Sequence, residues 1–398
     1  MELLYISALS SERLINEIYE KTNANPGFAV QKFSRSLVRG LIQNGVKCTA
    51  LSTPPVTRQF NKNLWISLDN ETEKDVEYHY IPFINSPLLK HICIFFYSFF
   101  YVLKWGGRLT KEKAVICDVL CISLSLAVLL ASKIIRLKAV AVVTDIYDQM
   151  VGKQSKGIRK LVRDVAGKLN NIYVRSFSMY VLLTEAMNTL VNPKGRPYIV
   201  MEALCEDEDN VINEKNVEKS FPRVILYAGG LEEKYGLKML VEAFKRIDDP
   251  SCELHLYGSG SYASELIKET EIDARIKYWG VRKNEEILAA EARATLLVNP
   301  RFSTEEFTKY SFPSKNMEYM LSGTPLLTTK LPGMPKEYYP YVFLFEEELL
   351  IGYTNLLRRV LSYSYDKLNE IGRSAQKYVI ENKNIIIQGK RILELMSK

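Results

Sequence analysis

Histidine is scarce, three residues in 398, and scattered at His79, His91 and His255, so a histidine-built metal site is not expected. The six cysteines (Cys48, Cys93, Cys117, Cys121, Cys205, Cys252) contain no C-x-x-C pair and sit mostly in apolar runs. That pattern reads as reduced core thiols rather than bridges. There is no G-x-S-x-G and no P-loop, and Gly258-Ser259-Gly260 lacks the third glycine of a dinucleotide fingerprint. Nor do basic and aromatic residues interleave as nucleic acid binding would require. Met1 leads directly into ELLYISAL without a cationic region or cleavage site, so nothing marks export and a cytoplasmic location is expected. The apolar stretch Ile92–Leu103, flanked by Lys90 and Lys104, is too short to span a bilayer. It reads either as a membrane-surface helix with an aromatic face or as an internal helix packed on a sheet. A second run, Val119–Ala131, follows a strand directly and reads as core. With 47% hydrophobic and 25% charged residues, 20 Gly and 15 Pro, the chain is neither collagen-like nor disordered. Its length suits two or three domains.

Charge is unevenly shared. Residues 1–199 hold 26 Lys and Arg against 15 Asp and Glu, whereas the rest of the chain is slightly acidic. Ten basic and three acidic residues fall between Lys133 and Arg175. A basic half suggests an anionic partner, such as a phosphorylated substrate or an acidic membrane surface, with a solvated helix face as the plainer reading.

Strands and helices alternate along the chain. Leu3–Ile6 reads as a strand, followed by a loop carrying Asn25-Pro26-Gly27 and a helix over Phe28–Gln43 that stops at Asn44-Gly45. Val46–Leu51, Ala114–Cys117, Ala139–Thr144 and Tyr180–Leu183 read as further buried strands of a parallel α/β sheet. Residues 203–222 are polar and end at Pro222, which marks a linker between a first domain, 1–202, and a second, 223–380. Within the linker, Asp207-Glu208-Asp209 matches a D-x-D metal pattern but reads as acidic linker. In the second domain Val224–Tyr227 ends in Gly229-Gly230, Glu253–Tyr257 in Gly258-Ser259-Gly260, Arg275–Trp279 in Gly280, and Thr295–Val298 in Asn299-Pro300-Arg301. Helices expected over Gly236–Arg246, Tyr262–Thr270 and Asn284–Ala292 separate them. Four strands ending in turn-forming residues describe a doubly wound sheet whose ligands gather at the strand carboxyl ends. Two such domains imply a cleft between them.

The most informative block is Asn299–Pro325, NPRFSTEEFTKYSFPSKNMEYMLSGTP. Ser314 is expected at a helix N-cap with Lys315 in the first turn, where free N–H groups, a hydroxyl and an ammonium form a diphosphate site. Glu318, one turn on, can accept hydrogen bonds from vicinal ribose hydroxyls, and Arg301 can meet a second phosphate oxygen. In the first domain Val142–Asp148 closes a strand, with Asp145 placed to orient a sugar hydroxyl or stabilise charge at an anomeric carbon. The plainer readings are an ordinary capped helix and a turn-capping aspartate.

This block resembles the C-terminal donor region of the family 4 glycosyltransferases, retaining enzymes of GT-B fold, and within them the branch that builds bacterial surface polysaccharides. The resemblance rests on Asn299-Pro300-Arg301, Ser311 to Lys315, Glu318-Tyr319 and Gly323-Thr324-Pro325, and extends over Val224–Tyr339 with Ala228-Gly229-Gly230 and Lys234-Tyr235-Gly236. It implies two Rossmann-like domains facing a cleft, with residues 381–398 as a helix crossing back to the first. It further implies a donor diphosphate approached by Gly229 and Gly230 and neutralised by Lys234 or Arg301. Gly280 and Val281 would hold the nucleobase. Ser311, Pro313, Ser314 and Lys315 would line the phosphate site, with Glu318 on the ribose. Arg301 and Lys315 would stabilise the leaving group and Asp145 the reacting sugar, with Asn25 and Gly27 on the acceptor side and neither metal nor cofactor needed. The implied reaction passes a sugar from a nucleoside diphosphate sugar, UDP- or GDP-linked, to a lipid-linked oligosaccharide at the inner face of the cytoplasmic membrane. A non-catalytic GT-B partner subunit and a nucleotide-sugar epimerase are the alternatives. The chain departs from the pattern at Tyr310, where many members carry a sugar-contacting Glu, and at Leu231 and Tyr235, where many carry Arg and Lys.

Overall fold

The computed structural model describes residues 1–107, 112–146, 167–206 and 219–398. They divide into two units, residues 1–204 with 385–398 and residues 205–384. The boundaries thus fall at 204/205 and 384/385, slightly later than 202/203 and 380/381. Of the expected linker, residues 207–218, including Asp207-Glu208-Asp209, lie outside the described residues, as do Tyr147 and Asp148. Cys205 belongs with the second unit, its N–H bonded to the Lys383 carbonyl at 3.0 Å.

The first unit runs through β1 (Glu2–Ser7), α1 (Glu12–Thr22), α2 (Phe28–Gln43), β2 (Lys47–Ser52), β3 (Trp65–Ile66), β4 (Glu71–Glu73), β5 (Val76–Tyr80) and β6 (Phe83–Ile84). It continues with α3 (Pro87–Gly106), β7 (Lys113–Asp118), α4 (Ile122–Ile134), β8 (Lys138–Val143), β9 (Met179–Leu182), α5 (Glu185–Val191) and β10 (Tyr198–Val200). Eight strands form one sheet in the order β10-β9-β8-β7-β1-β2-β5-β4, parallel except for β4 against β5. Central strands such as β7, with Ala114, Val115, Ile116 and Cys117 all buried, are apolar on both faces because helices cover both. Toward the edge, β5 alternates buried and half-buried residues. Helix α1 occupies residues expected to form a loop. Its apolar face (Leu14, Ile15, Ile18) is buried, and Ser11 caps it by accepting the Leu14 N–H at 3.1 Å.

The second unit holds β11 (Arg223–Ala228), α6 (Leu237–Lys245), β12 (Cys252–Tyr257), α7 (Ala263–Ile272), β13 (Ile276–Gly280), α8 (Asn284–Arg293) and β14 (Leu296–Asn299). Then follow α9 (Ser314–Leu321), β15 (Leu326–Thr329), β16 (Phe343–Phe345), α10 (Leu350–Leu361) and α11 (Tyr365–Lys383). Its six strands pair in the order β13-β12-β11-β14-β15-β16, all parallel. Counted within the unit this is 3-2-1-4-5-6, so the order reverses between β11 and β14. Loops leaving two such strands part in opposite directions and open a crevice at their carboxyl ends. Leu240, Phe244, Leu254, Leu296 and Tyr353 are among the residues filling the core on the helix side.

After α11 the chain enters α12 (Ile385–Ser397), which is part of the first unit and packs on α2. Ile392, Leu395 and Met396 are buried in that unit's core. The two helices approach so closely that a Cβ on Gly40 would lie 2.2 Å from the Ile385 carbonyl oxygen, and one on Gly389 2.5 Å from that of Gly40. Asn44 Nδ2 donates to the carbonyls of both Gly40 and Ile386, at 2.7 and 2.8 Å.

The run Ile92–Leu103 lies inside α3, which at 20 residues is longer than the run alone suggests. By length and composition α3 is the one helix among the described residues that could cross a membrane. Helix formation extends past Lys90 and Lys104 because Pro87 starts it and no breaker intervenes before Gly106. It packs against α4 through one narrow face, with Ile94, Ser98 and Val102 buried.

Candidate functional site

The crevice of the second unit is assembled by backbone packing. Loops after β11 and β12 interlock through Gly229 N–H to the Tyr257 carbonyl (3.0 Å) and Leu231 N–H to the Ser259 carbonyl (2.9 Å). Gly258, at φ 125°, allows this approach, because a Cβ there would lie 1.9 Å from the Gly229 oxygen. Gly236, at φ 78°, likewise sits against the Pro300 carbonyl, drawing the β11 loop to the end of β14. The Gly258-Ser259-Gly260 turn therefore serves loop packing.

Helix α9 is fixed to both strands. The Tyr319 hydroxyl, fully buried, accepts the Ala228 N–H at 2.8 Å and lies 3.1 Å from the Ala228 carbonyl. Asn299, the first residue of N-P-R, donates from Nδ2 to Asn316 Oδ1 at 2.6 Å inside the core. These contacts aim the start of α9 at the crevice. Ser314 is the first helical residue and Pro313 occupies the cap position, so the expected Ser314 N-cap is corrected by one residue. Proline has no side-chain acceptor, and no side chain caps the helix. The Ser314 side chain is exposed, and the Ser311 hydroxyl donates to the Phe307 carbonyl at 3.1 Å.

Two cations share one aromatic seat. Arg301 lies 4.5 Å from the Tyr235 ring centroid and 5.9 Å from that of Phe307; the Lys234 ammonium lies 5.3 and 5.8 Å from the same rings. Lys234 lies within electrostatic reach of Glu232, and the Arg301 Nε is buried with no hydrogen-bond acceptor. Two cations and a helix start without a side-chain cap are the kind of groups that attract a multiply charged anion. Tyr235, a departure from the family pattern, supplies that seat.

Lys315 and Glu318 were expected to act on different ligand groups, but the structure pairs them with each other. Lys315 Nζ also lies 3.8 Å from Oε1 of Glu291, a fully enclosed residue near the end of α8 that sequence reasoning missed. Burial, with the adjacent Glu318 carboxylate, pushes the Glu291 carboxyl far above the ordinary carboxylate range. Gly280 closes β13 at φ 67° with open space where a Cβ would be, its carbonyl accepting the Gly258 N–H at 2.8 Å, and Val281 beyond it is exposed. Tyr310 follows a 3₁₀ turn, its N–H bonded to the Phe307 carbonyl at 3.0 Å.

In the first unit, Asp145 follows the carboxyl end of β8, and burial raises its carboxyl above the usual range. Sequence reasoning missed its neighbour Asp118, which ends β7 and is sealed from solvent. Burial pushes Asp118 to about 6, opposed by the Leu120 N–H at 2.9 Å and reinforced by Asp145. Asn25 Oδ1 accepts the N–H groups of Gly27 and Phe28 at 2.8 and 3.2 Å, and Gly27 adopts φ 86°, so both residues shape the start of α2. Among the described residues no cluster of three or more His, Cys, Asp or Glu is placed to hold a metal.

Solved structures with this arrangement span the whole chain. Alr3699/HepE of Anabaena, solved with UDP, matches at TM-score 0.61 and 16% identity, covering 100% of both chains. The lipopolysaccharide outer core galactosyltransferase WaaB, in its apo form, matches at 0.60 and 15% over 100% of this chain and 99% of its own. The fold is GT-B. A further GT-B neighbour, sucrose-phosphate synthase of Thermosynechococcus elongatus, matches at 0.62 and 12% identity over 100% and 99% of the two chains. Residues 222–351, which include the crevice of the second unit, match the family model described as Glycosyl transferases group 1. No curated protein sequence matches the chain.

Proposed function

We propose that the protein transfers a sugar from a nucleoside diphosphate sugar, UDP- or GDP-linked, to a hydroxyl of a lipid-linked oligosaccharide in surface polysaccharide synthesis, with retention of configuration. The observation that carries this reading is Arg301, its buried Nε unpartnered, sharing the Tyr235–Phe307 seat with Lys234 beside the uncapped start of α9. The match of residues 222–351 to glycosyl transferases supports it, and HepE, solved with UDP and with UDP-glucose, makes UDP the first nucleotide to test. In the proposed reaction the bond between the anomeric carbon and the β-phosphate oxygen breaks as the acceptor oxygen bonds to that carbon. The acceptor proton passes to the departing phosphate. Arg301, Lys315 and the α9 N–H groups stabilise the developing diphosphate charge without a metal. Gly229, Gly230, Ser311, Pro313 and Ser314 line the diphosphate, Gly280 and Val281 the base, and Glu318 meets the ribose. Asp145 stabilises positive charge on the sugar, and Asn25 and Gly27 serve the acceptor side. We place the reaction in the cytoplasm at the inner face of an anionic membrane, with α3 as the contact.

Thermal-shift measurements with UDP, GDP, CDP, ADP and NAD test the donor site. One diphosphate is expected to raise the melting temperature, by about 3 kcal/mol of stabilisation at a hundredfold excess over Kd. Arg301→Ala and Glu318→Ala are each expected to lose about tenfold or more in affinity for it. Silence from every nucleotide on folded protein would sink the donor reading. Nucleotide binding without transfer to any acceptor would favour the non-catalytic partner, a reading that Tyr310 in place of the sugar-contacting Glu keeps in play.

A further inference from the structure

The Glu291 carboxyl is wholly enclosed, and with both it and Glu318 ionised neither of its oxygens has a hydrogen-bond partner among the described residues. It faces three polar groups, all on α9. Lys315 Nζ is 3.8 Å away, the Glu318 carboxyl lies alongside, and the Tyr319 phenol is held by Ala228. Behind it, the Glu291 and Ala292 carbonyls are occupied by Thr324 Oγ1 at 2.8 Å and Lys219 Nζ at 2.8 Å, so the last turn of α8 is pinned. A sealed carboxylate with no donor is strongly disfavoured, and two adjacent carboxylates sharing one ammonium do not both ionise. The enclosed member keeps the proton.

We propose that Glu291 is a positioning residue for the diphosphate site: as a neutral carboxylic acid beneath α9 it hydrogen-bonds Glu318 and holds the Lys315–Glu318 pair at the helix start. The inference rests on the donor-site reading above and adds a group that touches no substrate. With Glu291 neutral, Lys315 and Glu318 cancel in charge, and Lys315 can turn to a phosphate at little electrostatic cost. With Glu291 ionised, the crevice floor carries two negative charges against one positive and repels a diphosphate.

Two measurements on wild type, Glu291→Gln and Glu291→Leu test this. Gln preserves a neutral donor, whereas Leu removes it. Without nucleotide, a carboxyl raised in the folded state favours folding below its unfolded pKa and loses that contribution as pH rises toward its folded pKa. Between pH 5 and 9 the wild type is therefore expected to fall behind Glu291→Gln in melting temperature, by about tenfold in the folding equilibrium per pH unit. Parallel melting curves would overturn the neutral acid; Glu291→Leu carries the same comparison if the Gln variant does not fold. Calorimetric titration with UDP and GDP at pH 7 and 9 provides the second arm. Because a carboxyl titrating near 9 is half ionised at pH 9, the wild type is expected to lose about twofold more affinity than Glu291→Gln between the two pH values, the nucleotide's own titration being common to both, and Glu291→Leu to bind weakly at pH 7. Equal affinities for all three proteins at both pH values would overturn the positioning role alone. Failure of the wild type to bind either nucleotide would overturn the donor reading and this role with it.

Discussion

Asp118 closes β7 with a carboxylate sealed from water and one backbone donor, the Leu120 N–H, to meet it. Its carboxyl is pushed to about 6 from 3.8. The stability this proton confers is present in full below about pH 4 and is lost as pH rises through 6. Asp118→Asn, which keeps the acceptor oxygen without the charge, is expected to stabilise the protein at pH 7 by up to about 3 kcal/mol. The gap should close by pH 4. Melting temperatures of both proteins between pH 4 and 8 check this, and a constant gap would count against it. Residues of this kind were illegible in the sequence. Asp118 stands in an apolar strand, and Glu291 in AAEAR has the look of a surface helix residue; each acquires its chemistry from a group on another element. The helix start at the S-F-P-S-K block was legible because its signal lies within a single turn. The one-residue shift of its cap follows from Pro313, whose fixed φ suits entry to a helix.

At the scale of elements, the crossing of α2 and α12 depends on two glycines whose absent side chains let backbone touch backbone. Gly389→Ala would place a methyl 2.5 Å from the Gly40 carbonyl oxygen and 2.9 Å from Asn44 Nδ2. The helices must then part, at a cost of roughly 1–3 kcal/mol. Hydrogen exchange is expected to quicken in α2 and α12 while β11 and β12 keep their protection; unchanged exchange in α2 would refute the account. Helix α2 was legible to the residue, because its apolar spacing and the flanking Gly27 and Asn44-Gly45 agree. Helix α1 was not, although Ser11 and Leu14, Ile15 and Ile18 carry its cap and buried face; Asn25-Pro26-Gly27 drew the whole segment into a loop. The strands β3, β4 and β6 escaped notice because two or three residues show no period, whereas β5 alternates Val76, Tyr78 and Tyr80 with polar residues and was overlooked.

Over the whole molecule, the surplus of positive charge in residues 1–199 accompanies an exposed apolar stripe on α3. Leu88, Ile92, Phe96 and Phe100, four residues apart, are exposed by 72, 45, 53 and 61%. Side chains at that spacing share one face, and Lys104 lies exposed just beyond them. Lys90 is folded back over the Phe83 ring at 4.4 Å. An apolar face this size, with the exposed Lys104 at its end, suits the surface of an anionic bilayer. Sedimentation with phosphatidylglycerol vesicles is expected to pull down the wild type, and Phe96→Ser with Phe100→Ser to weaken binding by about tenfold or more. Equal sedimentation would remove α3 from the membrane account. The alternation of strands and helices and the polar break near 203–222 made the division into two units legible. The paired chemistry within each unit required the fold.

The return of α12 to the first unit bears on how the protein is made. Residues 1–204 leave the ribosome with one flank of α2 uncovered, and the helix that covers it follows only after residues 205–384. At about 5–20 residues per second, that interval is roughly 10–40 s. Throughout it, Gly40 and its apolar neighbours on α2 stand open to water and to other nascent chains. The second unit, continuous in sequence, can close its core before the first unit closes its own.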